Sequence, residues 1–510
     1  MRRATPPVRD ETDLPTTPDS EAARRLDTLL RDTAPEVRDE MGTITRGTAR
    51  MASVAGLRQI ISTGLLAVTA AVVARLLGAT NYGLYAGGTA AFNFALALTD
   101  LGFSVVASRE MAKRPDEQGR LLPAAVQIQL LWSMAIALGL LALAIGTGGT
   151  RGEVELVLCP AVALAGLSAS RQIFMVRYRA TPLVILDISL GVLQASFMIA
   201  FAVAHAGIVP IAAVLSAAWC ITGIASTLLA RRVVRFESPL KGERLRILRM
   251  ALPLGIVSVL ASLYFTIDQL ILSFIVASRE LGQYAAAVRL LSVVVMIPGY
   301  VMAAGLPGLA RNAGDREALS RFAGTLGHWL AVTALPICVG LAVFASPVIR
   351  LVFGPAYAQS AHLLRVLMVA GVLALVSNLT GITLSALSII RPQLIFNLIS
   401  LAVNVTGNIV FVPRYGVIAS AWFTVASETI VVSYGIVTLR KRLSYRIVVG
   451  RLWRPLAAVA LAGGLGLALG AGGPGAVAAS VVTFLAVMTA LKAWPADLLP
   501  ARFHRRLTRA

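Results

Sequence analysis

The chain has 510 residues, of which 57% are hydrophobic and 14% charged, and its mean hydropathy is +0.78. Apolar runs of about 20 residues, the length a helix needs to cross hydrocarbon, recur from Val54 to Trp494 and exclude a soluble globule. The net charge of +21 would suggest nucleic acid in a soluble chain, but the arginines cluster at alternate junctions between apolar runs, which excludes that partner.

Residues 1–50 hold 10 acids and 9 bases, with prolines at 6, 7, 15 and 18. Such a segment buries too little apolar surface to fold alone, and it lacks the apolar core of a signal peptide. It is expected to be a disordered cytoplasmic tail, with a short helix near Glu21–Leu30. Fourteen spans follow: 54–78, 82–107, 121–146, 153–176, 181–205, 208–230, 251–275, 284–310, 327–348, 360–388, 392–412, 415–438, 452–472 and 475–494. In lipid the backbone must satisfy its own hydrogen bonds, so these runs are predicted to be helices. A basic tail, 495–510, closes the chain.

Counting from a cytoplasmic N-terminus, 38 of the 46 Lys and Arg residues fall in the tails, the inside junctions and the span ends beside them. The outside junctions carry Arg75, Arg151, Arg279, Arg350 and Arg414. Positive residues mark the cytoplasmic side, so both termini are expected inside and the number of spans even. Cys159, Cys220 and Cys338 lie within spans without metal or redox spacing and read as small core residues. The four histidines are scattered, and no metal site follows from them.

A weak internal repeat is present. Gly83-Leu-Tyr85-Ala86 opens the second span and Gly282-Gln-Tyr284-Ala285 the eighth; Ala217-Ala-Trp219 and Ser420-Ala-Trp422 open the sixth and twelfth. Two similar offsets point to six-helix halves in the same orientation, an N-lobe at 54–230 and a C-lobe at 251–439. Transporters place substrate sites between such repeats. Spans 13 and 14 (452–494) stand outside the repeat, are rich in Gly and Ala, and are expected to be peripheral.

Five stretches now carry a resemblance: "RLLGATNYGLYAGGTAAFNFALALTDLGFS", "LYFTIDQLILSFI", "LGQYAAAVRLLSVVVMIPGYVMAAGLPGLA", "VIRLVFGPAYAQSAHLLRVL" and "NLISLAVNVTGNIVFVPRYGVIASAWFTVASE". In this order, from about Gly56 to Arg440, the chain resembles the polysaccharide and oligosaccharide flippases of the multidrug/oligosaccharidyl-lipid/polysaccharide (MOP) exporter superfamily. The resemblance implies an all-α integral membrane fold of about fourteen transmembrane helices, with two six-helix lobes in parallel repeat around a cavity and an extra C-terminal pair. It implies movement of a polyprenyl-diphosphate-linked glycan from the cytoplasmic to the outer leaflet of the bacterial plasma membrane. It also implies a monomer without a cofactor, working beside glycosyltransferases and a polysaccharide polymerase, with a proton or sodium gradient as a possible drive.

Such a substrate needs a hydrated, partly cationic path, and ionisable residues within spans are where to look. Arg58, near the start of span 1, either snorkels to the interface or meets the diphosphate, for which its guanidinium is suited. The resemblance favours the latter, since superfamily lipid II flippases use cavity arginines. Arg289 in span 8 and Arg365 in span 10 carry the same two readings nearer the outer side. Asn93, Ala97, Asp100, Ser104 and Ser108 form one helical stripe of span 2. Asp100 is expected to pair with Arg58 or Arg289 or to join ion coupling. Gln269 shares a stripe of span 7 with Ser262, Thr266 and Ser273, and Asn397, Asn404 and Asn408 share a face of span 11. Helix packing explains these polar residues as well as a sugar-lined cavity does. Asp268 and Glu428 are candidate ion-coupling carboxylates, while Asp187 reads as interfacial. Pro298 and Pro307 interrupt span 8, and Pro336 interrupts span 9; they are hinge candidates or ordinary membrane prolines.

Two other functions compete. An ion-coupled multidrug exporter shares the fold but calls for a smaller, more aromatic and acidic pocket, against an aromatic content of 6%. A membrane glycosyltransferase or polymerase calls for acidic residues on a substantial outside loop. The outside loops here are short, and Glu153, Glu155 and Glu280 are the acids near that face.

Overall fold

The computed structural model describes residues 62–177, 179, 181–450, 452–470 and 473–494; both polar tails and Arg58 lie outside the described residues. The described residues belong to one compact unit, Arg58–Ala510. Their regular structure is entirely helical. Among them, nine helices are long and apolar enough to cross a bilayer, and three shorter apolar ones, Thr266–Ile275, Trp453–Ala468 and Pro474–Ala490, accompany them. The protein is a multi-pass membrane protein.

In chain order the helices are α1 (residues 62–100), α2 (Phe103–Lys113), α3 (Gln118–Thr147), α4 (Gly149–Leu164), α5 (Gln172–Val176), α6 (Thr181–Val203), α7 (Ile208–Val233), α8 (Glu243–Ile275) and α9 (Ser278–Arg311). Then come α10 (Arg316–Val343), α11 (Ala345–Val352), α12 (Ser360–Ala386), α13 (Ile390–Tyr415), α14 (Val417–Leu439), α15 (Tyr445–Gly450), α16 (Trp453–Ala468) and α17 (Pro474–Ala490). They follow the expected spans in order. Helices α16 and α17, at 16 and 17 residues, fall short of the expected lengths. Helix α9 runs through Pro298 and Pro307 without a break.

Helix α1 reverses on itself. Ser62 and Asn93 line one cavity, yet a straight helix would hold them about 46 Å apart at 1.5 Å per residue. The reversal falls at Gly78, whose φ of +72° a side chain would resist. Expected spans 1 and 2 are therefore the two arms of α1.

The second arm is interrupted, at Leu101 (φ 33°) and Gly102 (φ 75°). Such a gap frees carbonyls before it and N–H groups after it, and each needs a partner in lipid. Trp132 Nε1 donates to the Leu98 carbonyl at 2.9 Å and Gln129 Nε2 to that of Thr99 at 3.3 Å. The Asp100 carboxylate accepts from the Ser104 N–H at 3.2 Å and the Ser104 hydroxyl at 2.6 Å. A second irregularity lies in expected span 4, where a seven-residue 3₁₀ stretch, Ala165–Arg171, separates α4 from α5. Runs beyond three or four residues are uncommon in that geometry.

Helix α10 starts eleven residues before the apolar run because Asp315 caps it, accepting from the Glu317 and Ala318 N–H groups at 2.8 and 3.2 Å. The Ala318 and then the Glu317 N–H hold this exposed carboxyl below its ordinary value. The cap's contribution is thus present above the ordinary carboxylate pKa and is lost as pH falls through the lowered one.

Helix α3 packs on α4, α4 on α7 and α6 on α7, and α12 lies against α9, α10 and α14. Helix α8 touches α2 and α3 as well as α13. Its first turn is drawn to the α2–α3 connection by ion pairs, Arg120 to Glu243 at 3.7 Å and Arg246 to Glu110 at 3.7 Å. At the Gly78 end, the Tyr357 hydroxyl donates to the Ala74 carbonyl at 2.7 Å and Arg75 Nη1 to that of Leu351 at 3.0 Å. Buried Gln283 joins the start of α9 to Ala356 and Ser360.

The two copies of the sequence repeat meet face to face. A Cβ added at Gly83 would lie 1.7 Å from the Ser278 carbonyl oxygen, and one at Gly282 would lie 1.9 Å from that of Ala79. Ala79–Gly83 and Ser278–Gly282 are equivalent small-residue pairs four apart, the spacing that lets membrane helices approach closely. Each glycine contacts the other copy's partner, the reciprocity that a two-fold relation produces.

Candidate functional site

Two polar cavities adjoin inside the α1–α9 region. The first, about 390 Å³, lies between both arms of α1, α6, α7, α8 and α9, and its polar lining includes Asn93, Gln194, Gln269 and Arg289. The second, about 550 Å³, is lined by Asp100 and Ser104 at the α1–α2 break, by Ser168, Arg171 and Gln172 at the 3₁₀ stretch, and by α6 and α7. Ser62, Asp187, Gly191, Gln194 and Trp219 line both, so the two cavities adjoin. From Thr89 in the first to Asp100 in the second is 11 residues, about 16 Å along the helix. Non-helical backbone at membrane depth is tolerated where it lines such a cavity, and both interruptions do so.

Arg289 is set by the close α1–α9 packing that the glycines allow. Its Nη2 donates to the Leu66 carbonyl at 3.1 Å, while its Nε is buried without a hydrogen-bond partner among the described residues. Asp100 does not meet Arg289. Its carboxylate is held by Ser104, because the break leaves that N–H without a helical acceptor. Asp187, read from sequence as interfacial, accepts from Arg171 Nη2 at 2.6 Å, with both side chains largely buried. Aromatic rings of Tyr82, Tyr85, Phe92 and Trp219 complete the first cavity.

A third cavity, about 340 Å³, brings Asp268 and Glu428 together with Asn404, Tyr284, Thr424 and Ser427. Asp268 is buried and accepts from the Tyr284 hydroxyl. Asn408 does not line this cavity; it donates to the Asn404 carbonyl and side-chain oxygen at 2.9 and 3.0 Å, a packing role. Arg365 lies apart from all three, exposed and donating to Ser346 at 3.0 Å. A fourth cavity, about 320 Å³, is an apolar groove between α10, α16 and α17. No group of three or more potential metal ligands occurs among the described residues.

The sequence points to neither Arg171 nor Gln194 as a lining residue, and it marks Asp187 and Trp219 only as interfacial and as part of the repeat. The clue was Ser168, Arg171 and Gln172 directly following an apolar run.

The fold matches solved membrane transporters at low sequence identity. The structure of a lipid II flippase, MurJ, in an inward closed conformation aligns with a TM-score of 0.71 at 13% identity, over 86% of this chain and 98% of that one. An inward-facing multidrug resistance MATE family transporter of the MOP superfamily aligns with a TM-score of 0.57 at 16% identity, over 76% and 98%. The eukaryotic MATE transporter AtDTX14 gives 0.51 at 13%, over 78% and 95%. No curated protein matches the chain in sequence. The family model described as "Polysaccharide biosynthesis protein" matches residues 49–313, more than half of the sequence, and the chain belongs to that family.

Proposed function

We propose that this protein is a flippase that carries a polyprenyl-diphosphate-linked oligosaccharide from the cytoplasmic to the outer leaflet of the plasma membrane, with both termini in the cytoplasm. Two adjoining cavities with polar groups in their walls, inside an otherwise apolar helical body, carry this reading. A sugar-diphosphate head is costly in hydrocarbon, and these walls offer hydroxyls, amides and guanidinium in its place. The polyprenyl tail stays in lipid throughout. The contacts of Tyr357, Arg75 and the Gly83–Gly282 pair close the end that the charge count assigns outside. Their opening, with closure at the other end, is the alternating-access step. No bond is made or broken in this cycle, so the protein acts as a transporter rather than an enzyme.

The test is transbilayer movement of a fluorescent polyprenyl-diphosphate sugar in proteoliposomes. Arg289→Ala is expected to slow movement by about tenfold or more, since a charge-assisted contact contributes about 1.5–3 kcal/mol. Movement equal to wild type would remove Arg289 from the path while leaving the flippase intact. A second reading, an ion-coupled exporter of organic cations, draws on the aromatic walls of the first cavity. It predicts no lipid movement by wild type and cation transport in the same vesicles.

The third cavity is the proposed seat of ion coupling, since two carboxylates facing one enclosed space suit a proton or sodium ion. Asp268→Asn and Glu428→Gln are each expected to abolish the acceleration that an imposed pH or sodium gradient gives. A gradient response retained in both variants rules this coupling site out.

A further inference from the structure

We infer that Arg171 is the first binding station for the substrate's diphosphate, with Asp187 as the carboxylate it exchanges for phosphate; this rests on the flippase reading above. Three observations converge. Arg171 stands at the end of the long 3₁₀ stretch and lines the 550 Å³ cavity together with Asp100 and Ser104 of the α1–α2 break, so two interrupted helices contribute to its wall. Interrupted membrane helices at binding sites present backbone and side-chain dipoles that a regular helix keeps to itself. The Arg171–Asp187 pair sits where the two cavities meet, because Asp187 lines both and Arg171 lines one. Finally, Arg171 gives one of its five N–H donors to Asp187 and makes no other hydrogen bond among the described residues.

The guanidinium fork matches phosphate as well as carboxylate. An arriving diphosphate takes the free edge of Arg171, then displaces Asp187. The head is thereby brought level with Asp187 and passes to Arg289 at the far end. Asp187 re-pairs with Arg171 behind it, which disfavours return.

The experiment uses full-length protein in nanodiscs of phosphatidylcholine, with binding of a polyprenyl diphosphate as the readout. Arg171→Gln is expected to weaken binding by about tenfold or more. Asp187→Asn is expected to tighten it several-fold, because the competing carboxylate is gone, and Arg171→Lys to keep part of the affinity. Opposite signs for the two partners are the signature of exchange, since a purely structural pair loses binding from either side. Wild-type affinity in Arg171→Gln, or a loss in Asp187→Asn as large as in Arg171→Gln, overturns the station and leaves the flippase standing. Absence of both binding and movement in wild type overturns the flippase and the station together. Phosphatidylglycerol binding as tightly as the diphosphate would reassign the site to bulk anionic lipid and overturn the proposal.

Discussion

Gly282→Ala is expected to lower the melting temperature in detergent and to abolish lipid movement, and Gly83→Ala to do the same. The added methyl group at position 282 would lie 1.9 Å from the Ala79 carbonyl oxygen, and at position 83 it would lie 1.7 Å from that of Ser278. Both obstacles are backbone, so no side-chain rotation relieves the clash and the helices must separate. Overpacking of this kind costs about 1–3 kcal/mol and sometimes more. Here it also lifts α1 away from α9, loosening Tyr357 from Ala74 and Arg289 from Leu66. Gly299→Ala on the same helix is the control. Nothing lies within 4 Å of a Cβ there, and Ala is better than Gly in a helix interior by about 0.8–1 kcal/mol. Wild-type melting and transport in Gly282→Ala would mean that the two repeats do not touch as described.

That contact shows what the sequence could and could not convey. The repeat was legible, because Gly83-Leu-Tyr85-Ala86 and Gly282-Gln-Tyr284-Ala285 stand at equivalent places. That the copies press on each other was not, because a repeat states equivalence and says nothing of adjacency. The helices were legible wherever lipid dictates them. Spans 181–205 and 360–388 correspond to α6 (Thr181–Val203) and α12 (Ser360–Ala386). Boundaries failed where polar residues extend a helix into water: α8 begins at Glu243 and α10 at Arg316, ahead of their apolar runs. The interruptions at Leu101 and Ala165 were invisible, because the side chains that satisfy the first, Gln129 and Trp132, come from a different helix.

The site divides the same way. Periodicity picks out a face of one helix, and Asn93 and Asp100 line the two cavities, although among the described residues Asp100 is held by Ser104 and not by Arg289. It cannot say which faces meet. Asn404 was grouped with the sugar path, yet α13 places it with Asp268 and Glu428 in a different cavity. Arg365 had the composition of a cavity arginine, but α12 turns it outward. Arg171 and Asp187 are sixteen residues apart on different helices, so their pairing is purely tertiary.

Glu155→Ala is expected to destabilise the protein by about 3–5 kcal/mol, the cost of stranding a buried charge. In the sequence Glu155 is one of a few acids near the outer face. In the folded chain its side chain is 0% exposed and that of Arg151, 2.9 Å away, is 14% exposed. The Thr147 hydroxyl donates to the second carboxylate oxygen at 2.9 Å. Arg151 also donates to the Ser273 carbonyl in the last turn of α8, and its guanidinium lies 4.2 Å from the centre of the Phe274 ring. The pair therefore fastens α4 to the end of α8, one turn beyond Asp268 and Gln269. Removing the carboxylate leaves Arg151 without a counter-charge in an apolar setting. Removing both charges, as in Arg151→Met with Glu155→Leu, is expected to cost far less than the sum of the single changes, because the desolvation penalty disappears with the charges. What remains is the lost contact to Ser273. A denaturation cycle in detergent over the four proteins measures this coupling. Additive single effects, or a cost below about 1 kcal/mol for Glu155→Ala as at an exposed pair, would show that water reaches this pair and that the α4–α8 junction is not dry.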